Sequence, residues 1–378
     1  MNGIPRRARG RLLRAVAAVA TLVSALVGTA AVAQPAGAAS YAVPASVIAD
    51  DAAWILQGQL PDGAIAWYID KQRISPYLAN YAAIGLAEAT RVTGDRRYAD
   101  AAWSWLVWYA GHEDANGFVT DYTVDAAGIE NSTGDEDSTD AYAGTFLAAV
   151  RAVFRVEPDV GRLAALHAGI QGAVRAILAT QDVDGLTFAK PGWPVKYLMD
   201  QAEAYRGLVS AAELGLVLGD GVLVWRALSA AARLAVGVGS LWNSATMSYD
   251  WAVDAAGQRT VTNWAQLYPD AMEQAWLAST TAISPNRARI LVDQLGATES
   301  QWSQPTAGAQ IDGAPGTVGY WPQAGWALLR LGRWDAAQAA AASIRAAALA
   351  TGRAWPFTTG VAGQLIVLEA GDPSLILP

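Results

Sequence analysis

The sequence predicts an all-α fold, closed as an (α/α)6 toroid of six inner and six outer helices. Three observations predict it. Ala/Leu-rich segments at helical spacing recur along the chain, with no strand run of comparable length. They come in pairs: "GLAEATRVTGDRRYADAAWSWL", "AAELGLVLGDGVLVWRALSAAARL" and "ALLRLGRWDAAQAAAASI" each end one helix at Gly, turn tightly and begin a second Ala-rich helix. The pairs repeat at roughly fifty to sixty residues, the mark of a repeat architecture. An open solenoid needs polar caps at both ends, whereas the terminal helices here are both apolar and can pair to close a ring.

In chain order, residues 1–39 are expected to be a secretory signal peptide. A basic MNGIPRRARGRLLR precedes an apolar run and the small-residue sites Ala31-Val32-Ala33 and Gly37-Ala38-Ala39. The run is long enough to span a membrane, but its Ala/Gly content favours cleavage, so the expectation is a secreted protein with no membrane contact after signal removal. Residues 40–378 are then expected to form a single toroid domain.

The helices are expected at 45–58, 76–92, 96–112, 138–155, 159–180, 198–218, 221–243, 269–280, 285–297, 321–331, 334–349 and 358–369. Ser75-Pro76 and Ser284-Pro285 put Ser at the N-cap and Pro at the first helical position. The turns "QLPDGAIAW", "DANGFVTDY", "QDVDGLTFAKPGW" and "ATMSYDW" carry Asp-Gly, Asn-Gly or like turn residues followed by short hairpin strands.

Composition excludes several classes. Five of the 26 basic residues (Arg6, Arg7, Arg9, Arg11, Arg14) lie in the leader, leaving 21 against 34 acids, near −13. That balance opposes nucleic-acid binding, which needs a basic footprint. With no cysteine there is no disulfide framework, thiolate catalyst or cysteine metal site. The two histidines, His112 and His167, both fall on outer helices. This argues against a Ser-His-Asp site, a histidine zinc site and a paired-histidine epimerase. There is no phosphate-binding glycine loop or dinucleotide fingerprint. The acidic run 130–140 could offer oxygen ligands to Ca²⁺ but lacks EF-hand spacing and is taken as a solvated loop. No cofactor or metal is expected, and the oligomeric state is open.

The architecture, with the motifs "YLANYAAIGLAEAT", "DSTDAYAGTFL" and "YLMDQAEAYRGL", resembles the six-hairpin glycosidase superfamily over essentially the whole mature chain. The resemblance implies a carbohydrate-active enzyme whose cleft lies at the mouth holding the N-terminal ends of the inner helices. Those helices would be 76–92, 138–155, 198–218, 269–280, 321–331 and 358–369.

Three successive inner helices begin alike: Asp137-Ser-Thr-Asp140, Asp200-Gln-Ala-Glu203 and Asp270-Ala-Met-Glu273. An acid at the N-cap with another three residues on resembles a capping box, and acids suit the positive end of a helix. The same placement also aims carboxylates into the mouth. Glycoside hydrolysis needs two of them, one protonated and one ionised, and crowding raises one pKa. Asp140 and Asp200 form the first candidate pair, facing each other across the mouth. Asp137 and Asp270 are the reserves, and acid and base are not distinguished.

Glu203, Arg206, Tyr205 and Asn80 are candidate substrate contacts, with a buried core role as the alternative. Trp193, Trp251, Trp264 and Trp321, with Trp67, are candidate stacking platforms at the rim. Trp54, Trp103, Trp105, Trp108, Trp225 and Trp334 are assigned to packing. Three rivals stand beside a glycoside hydrolase acting on a poly- or oligosaccharide. One is a lyase using Tyr205 with Asn80 or Arg206. Another is a non-catalytic glycan-binding toroid. The third is a terpenoid-cyclase-like toroid, suggested by the Gln-x-x-Asp-Gly turns at Gln59 and Gln181.

Overall fold

The computed structural model describes residues 43–298, 302–303, 306–307 and 318–377, so the expected leader over 1–39 lies outside the described residues. The helices are α1 (Ala45–Gln57), α2 (Pro76–Thr93), α3 (Arg96–Gly111), α4 (Thr139–Val156), α5 (Val160–Ala165), α6 (His167–Thr180) and α7 (Leu198–Leu218). They continue as α8 (Gly221–Ser240), α9 (Met272–Ala278), α10 (Pro285–Thr298), α11 (Pro322–Arg330), α12 (Trp334–Ala350) and α13 (Thr359–Ala370).

The inner helices form an unbroken circle: α2 packs on α4, α4 on α7, α7 on α9, α9 on α11, α11 on α13, and α13 back on α2. The outer layer is α1, α3, α5 with α6, α8, α10 and α12. The first helix, α1, packs on α13 and α2, so the two ends of the described chain meet as expected for a closed ring. Two expected helices differ from the sequence reading. The segment expected at 159–180 breaks at Leu166 into α5 and α6. The one expected at 269–280 begins with a π-helical turn, Leu267–Ala271, in which Tyr268 keeps an extended backbone, so regular α-helix starts only at Met272.

Inner and outer helices are joined by tight turns whose aspartates cap the outer helices. Asp95 accepts from Arg97 N, Asp159 from Arg162 N, and Asp220 from Val222 N and Leu223 N. At the other end, short antiparallel strands precede the inner helices and gather around their N-termini. They are β1 (Arg73–Ile74), β2 (Tyr122–Val124), β3 (Glu130–Ser132) and β4 (Lys196–Tyr197), then β5 (Trp242–Asn243), β6 (Ser248–Tyr249), β7 (Ala252–Val253) and β8 (Arg259–Thr260). They order as β1-β2-β3, β4-β7-β8 and β5-β6, with Tyr122 opposite Ser132 and Lys196 opposite Val253. A fourth pair, β9 (Thr306–Ala307) and β10 (Val318–Gly319), precedes α11.

The Gln-x-x-Asp-Gly turns are architectural. Gln59 donates to Gly63 O and to Ala101 O of α3, and Gln181 donates to Gly185 O and to Ala230 O of α8. Each pins its turn to an outer helix, which accounts for the motif without terpenoid chemistry.

Glycine sets how closely the inner helices approach. A Cβ at Gly144 of α4 would stand 2.6 Å from Glu203 O on α7, and one at Gly85 of α2 would stand 2.3 Å from Gly363 Cα on α13. Both are well inside any van der Waals contact, so these helices touch backbone to backbone.

Candidate active site

The acids of the inner helices are not their caps. The N-cap of α4 is Ser138 rather than Asp137, and that of α7 is Tyr197 rather than Asp200, while Asp270 lies within the π-helical turn. Neither Ser138 nor Tyr197 makes a side-chain capping bond. The capping-box expectation therefore fails at these three sites, and capping aspartates occur on the outer helices instead.

At the lip of the ring, Asp137 is exposed. Its charge acts on Asp200, Tyr197 and Tyr268, which places it near the starts of α7 and of the π-helical turn. It also lines a side depression of about 350 Å³ with Trp67, Arg73, Asp121, Glu136 and Lys190. Below the lip, Asp200 is 4% exposed. Burial and the neighbouring charges of Asp140, Glu203, Asp137 and Glu273 push its carboxyl well above the usual range.

Three residues on, and so about one turn along α7, Glu203 is buried, and its Oε1 accepts from Tyr77 OH (2.8 Å), Trp276 Nε1 (3.0 Å) and Tyr81 OH. Its Oε2 has no partner among the described residues. Burial pushes Glu203 up to about 7, opposed by those donors. Glu273 is buried as well and held high by desolvation; its Oε2 accepts from Met199 N, in the first turn of the neighbouring α7. Asp270 accepts from Asn263 N at 2.6 Å, beside the loop that follows β8. Buried unpartnered donors accompany the unpartnered Glu203 oxygen: Arg206 Nε, Gln323 Nε2 and Trp321 Nε1.

Aromatic pairs line the opening. Tyr77 stacks on Tyr142 with centroids 6.0 Å apart, Tyr197 on Trp251 at 6.1 Å, and Tyr268 on Trp321 at 5.0 Å. Each pair has a member at or near the start of an inner helix. Glutamines in the first turns of the same helices lock the preceding hairpins. Gln201 exchanges bonds with Thr187 N and O, and Gln274 with Tyr249 N and O.

No protein-family model matches the sequence, and no curated protein matches it significantly. Solved structures do match it. A GH63 mannosylglycerate hydrolase from Thermus thermophilus in complex with glucose has a TM-score of 0.62 at 13% identity, covering 87% of this chain and 98% of that one. A structure described as a wild-type glycosidase gives 0.60 at 16%, covering 88% and 97%. A rhamnosidase from Klebsiella oxytoca with rhamnose bound gives 0.56 at 18%, covering 81% and 55%. The chain shares the fold of these solved structures.

Within that fold the expected site residues part company. Asp137 is exposed before the start of α4, Asp200 is buried in the first turn of α7, and Glu203 is buried one turn further along α7. Asp140 does not face Asp200 across the opening. The two lie on neighbouring helices, and Asp140 is fully buried, with Oδ1 taking Ser138 Oγ (2.7 Å) and Ala141 N (2.8 Å) and Oδ2 taking Thr187 Oγ1. No oxygen of Asp140 is left for a substrate.

Asn80 is a core residue. It donates to Tyr142 O and Thr145 Oγ1 and accepts from Trp105 Nε1. Tyr205 is buried near Thr281 and Arg330, away from the acids. Arg206 is buried over the Trp326 ring and donates to Ser279 Oγ at 2.8 Å. The lyase set of Tyr205 with Asn80 or Arg206 therefore does not assemble.

Among the tryptophans, Trp193 is 52% exposed and bonds Tyr197 OH, and Trp251 is half-buried on Tyr197, so both are open to a ligand. Trp264 is half-buried and donates to Thr246 O, while Trp67 sits under the Arg73 guanidinium. Trp321, placed on the rim by sequence, is only 8% exposed and belongs to the wall. Trp225, assigned to packing, is 61% exposed, because it faces outward from α8.

Sequence reasoning missed Tyr77, Tyr142, Tyr268 and Trp276. Their one sequence signal was position, an aromatic within the first turns of an inner helix or just before it.

Proposed function

We propose that this protein is a secreted glycoside hydrolase in which Asp200 protonates the leaving glycosidic oxygen and Asp137 serves as the base toward water. The observation that carries this reading is the pairing of the exposed Asp137 with the buried Asp200, whose carboxyl is pushed up by burial and by the neighbouring acids. Glycoside hydrolysis needs one carboxyl of each kind. Burial and like charge raise the Asp200 carboxyl well above the usual range, the direction a general acid requires. The exposed Trp193 and the half-buried Trp251 offer sugar-stacking faces. The sugar ligands and substrates in the descriptions of the matching structures, glucose, rhamnose and mannosylglycerate, support a carbohydrate as substrate.

Screening the mature protein against a polysaccharide panel with reducing-end detection tests the reading. Asp200→Asn and Asp137→Asn should each lower turnover by orders of magnitude while the melting temperature moves little. Full activity in both variants, or a product with the absorbance of an unsaturated sugar, would overturn it. Export is supported by the leader-like residues 1–39. N-terminal sequencing of protein recovered from the medium should begin near residue 40.

A further inference from the structure

Behind Asp200 lies a hydrogen-bond chain that the hydrolytic reading leaves unused. The Ser138 hydroxyl lies 2.7 Å from Asp140 Oδ1 and 2.9 Å from Asp200 Oδ2, and all three residues are buried. A hydroxyl owns one proton and can donate to only one of two acceptors. If both carboxyls were ionised, one of these contacts would set oxygen against oxygen with no proton between them, inside a buried and acid-rich site. Both contacts are satisfied only when one carboxyl supplies a second proton to the chain.

Valence decides which carboxyl holds it at rest. Asp140 already accepts from Ala141 N and from Thr187 Oγ1. Among the described residues the Thr187 hydroxyl has only Gln201 Oε1 as an alternative acceptor, and that oxygen is already served by Thr187 N at 2.7 Å. Asp140 is thus built to be the acceptor. Asp200 meets Ser138 through Oδ2, and its Oδ1 has no hydrogen bond to any described residue.

We infer that Asp140 and Asp200 share one proton through Ser138, which makes Ser138 and Asp140 positioning residues for the proton on Asp200. In the resting arrangement Asp200 Oδ2–H donates to Ser138 Oγ, and Ser138 Oγ–H donates to Asp140 Oδ1. The alternative follows when both protons move one place. Ser138 Oγ–H passes to Asp140 as Oδ2–H of Asp200 passes to Ser138, which leaves Asp200 ionised and Asp140 neutral. The charge is conserved, and no solvent proton enters. Asp200 can therefore change protonation state at the opening while the compensating proton is stored out of reach of water.

The groups facing this chain are mostly acidic: Asp137 from the lip, Glu203 on α7 itself and Glu273 from α9, with the phenols Tyr77, Tyr197 and Tyr268. Arg206, three residues beyond Glu203, is the cation acting on Glu203. Burial and the Asp140 charge hold the Asp200 proton in place, and burial pushes Asp140 itself up to about 7.

The role in turnover rests on the hydrolase reading, but the shared proton does not, so two measurements separate them. Infrared spectra of the full mature chain in D2O, with carboxyl-labelled aspartate, should show a protonated aspartate carbonyl band at pH 7. That band should vanish in Asp200→Asn and weaken or shift in Asp140→Asn. On the active substrate, Ser138→Ala should move the basic limb of the kcat/KM profile down by about one pH unit or more, with KM little changed. Ser138→Thr, which keeps the hydroxyl, should restore the limb. Absence of the band in wild type, or a band indifferent to both aspartate variants, overturns the shared proton whether or not a substrate has been found. A Ser138→Ala profile that coincides with wild type overturns the positioning role. If Ser138→Ala does not fold, the wild-type and Asp140→Asn spectra still decide the sharing.

Discussion

Gly144 of α4 and Gly207 of α7 face each other across the helix contact that carries Asp140, Ser138 and Asp200. In Gly144→Ala the new Cβ would lie 2.6 Å from Glu203 O, 2.7 Å from its carbonyl carbon and 2.8 Å from Ala204 N, where ordinary contact begins at 3.4 Å. These are backbone atoms of a helix, so no side chain can swing away, and α4 and α7 must part by about 0.8 Å to restore contact distance. Overpacking of this kind costs about 1–3 kcal/mol, while Ala in place of Gly in a helix interior contributes about 0.5–1 kcal/mol the other way. The expected net effect is a loss of up to about 2.5 kcal/mol.

The parting would also stretch the 2.9 Å Ser138–Asp200 bond beyond hydrogen-bond range, so turnover should fall with stability. Urea unfolding followed by far-UV circular dichroism gives the free energy, and the same samples give activity. Gly239→Ala in α8 is the control. Nothing lies within 4 Å of its added Cβ, and it should stabilise by up to about 1 kcal/mol. A Gly144→Ala protein with a urea midpoint at or above wild type and an unchanged slope would refute the close-approach reasoning.

Two further outcomes are expected. Arg345 of α12 clasps the first and last helices by pairing with Asp51 of α1 and Glu369 of α13, both 1% exposed. Asp51 keeps Arg353 at 2.6 Å, so Arg345→Ala strands the buried Glu369 carboxyl and should cost about 3 kcal/mol by urea denaturation; a loss within the scatter of surface variants would show that the clasp is idle. Glu113 is pushed up to about 8, chiefly by burial, and its Oε1 has no partner among the described residues. Its raised folded pKa means that the folded state keeps a proton the unfolded state releases, so stability should fall as pH rises from about 4.5 to about 8 and level off above. Glu113→Gln should flatten that part of the melting-temperature profile; a profile superimposable on wild type would mean that Glu113 titrates normally.

Much of the fold was legible because its signals are local. Gly94, Gly219 and Gly371 adopt positive φ where the sequence marks helix ends, and Ser284 caps α10 through Arg287 N as Ser-Pro predicts. The alternation of inner and outer helices follows from the pairing, and so does the grouping of inner-helix starts at one mouth. The acidic character of that mouth was likewise visible in Asp137, Asp140, Asp200, Glu203 and Glu273.

Only the tertiary structure decided which of those acids faces the opening. A helix turns about 100° per residue, so placing the cap at Ser138 rather than Asp137 swings the whole first turn of α4. Asp137 is left on the lip, and Asp140 is turned against Thr187 and the neighbouring helix. Whether an oxygen is free also depends on donors distant in sequence. Thr187, 47 residues away, fills Asp140, and Tyr77 and Tyr81, more than 120 residues away, fill one side of Glu203 and leave the other bare. Side-chain type and helical period are properties of the local chain. The filling of a hydrogen-bonding site is a property of what the closed ring brings against it, and no spacing within one helix encodes that.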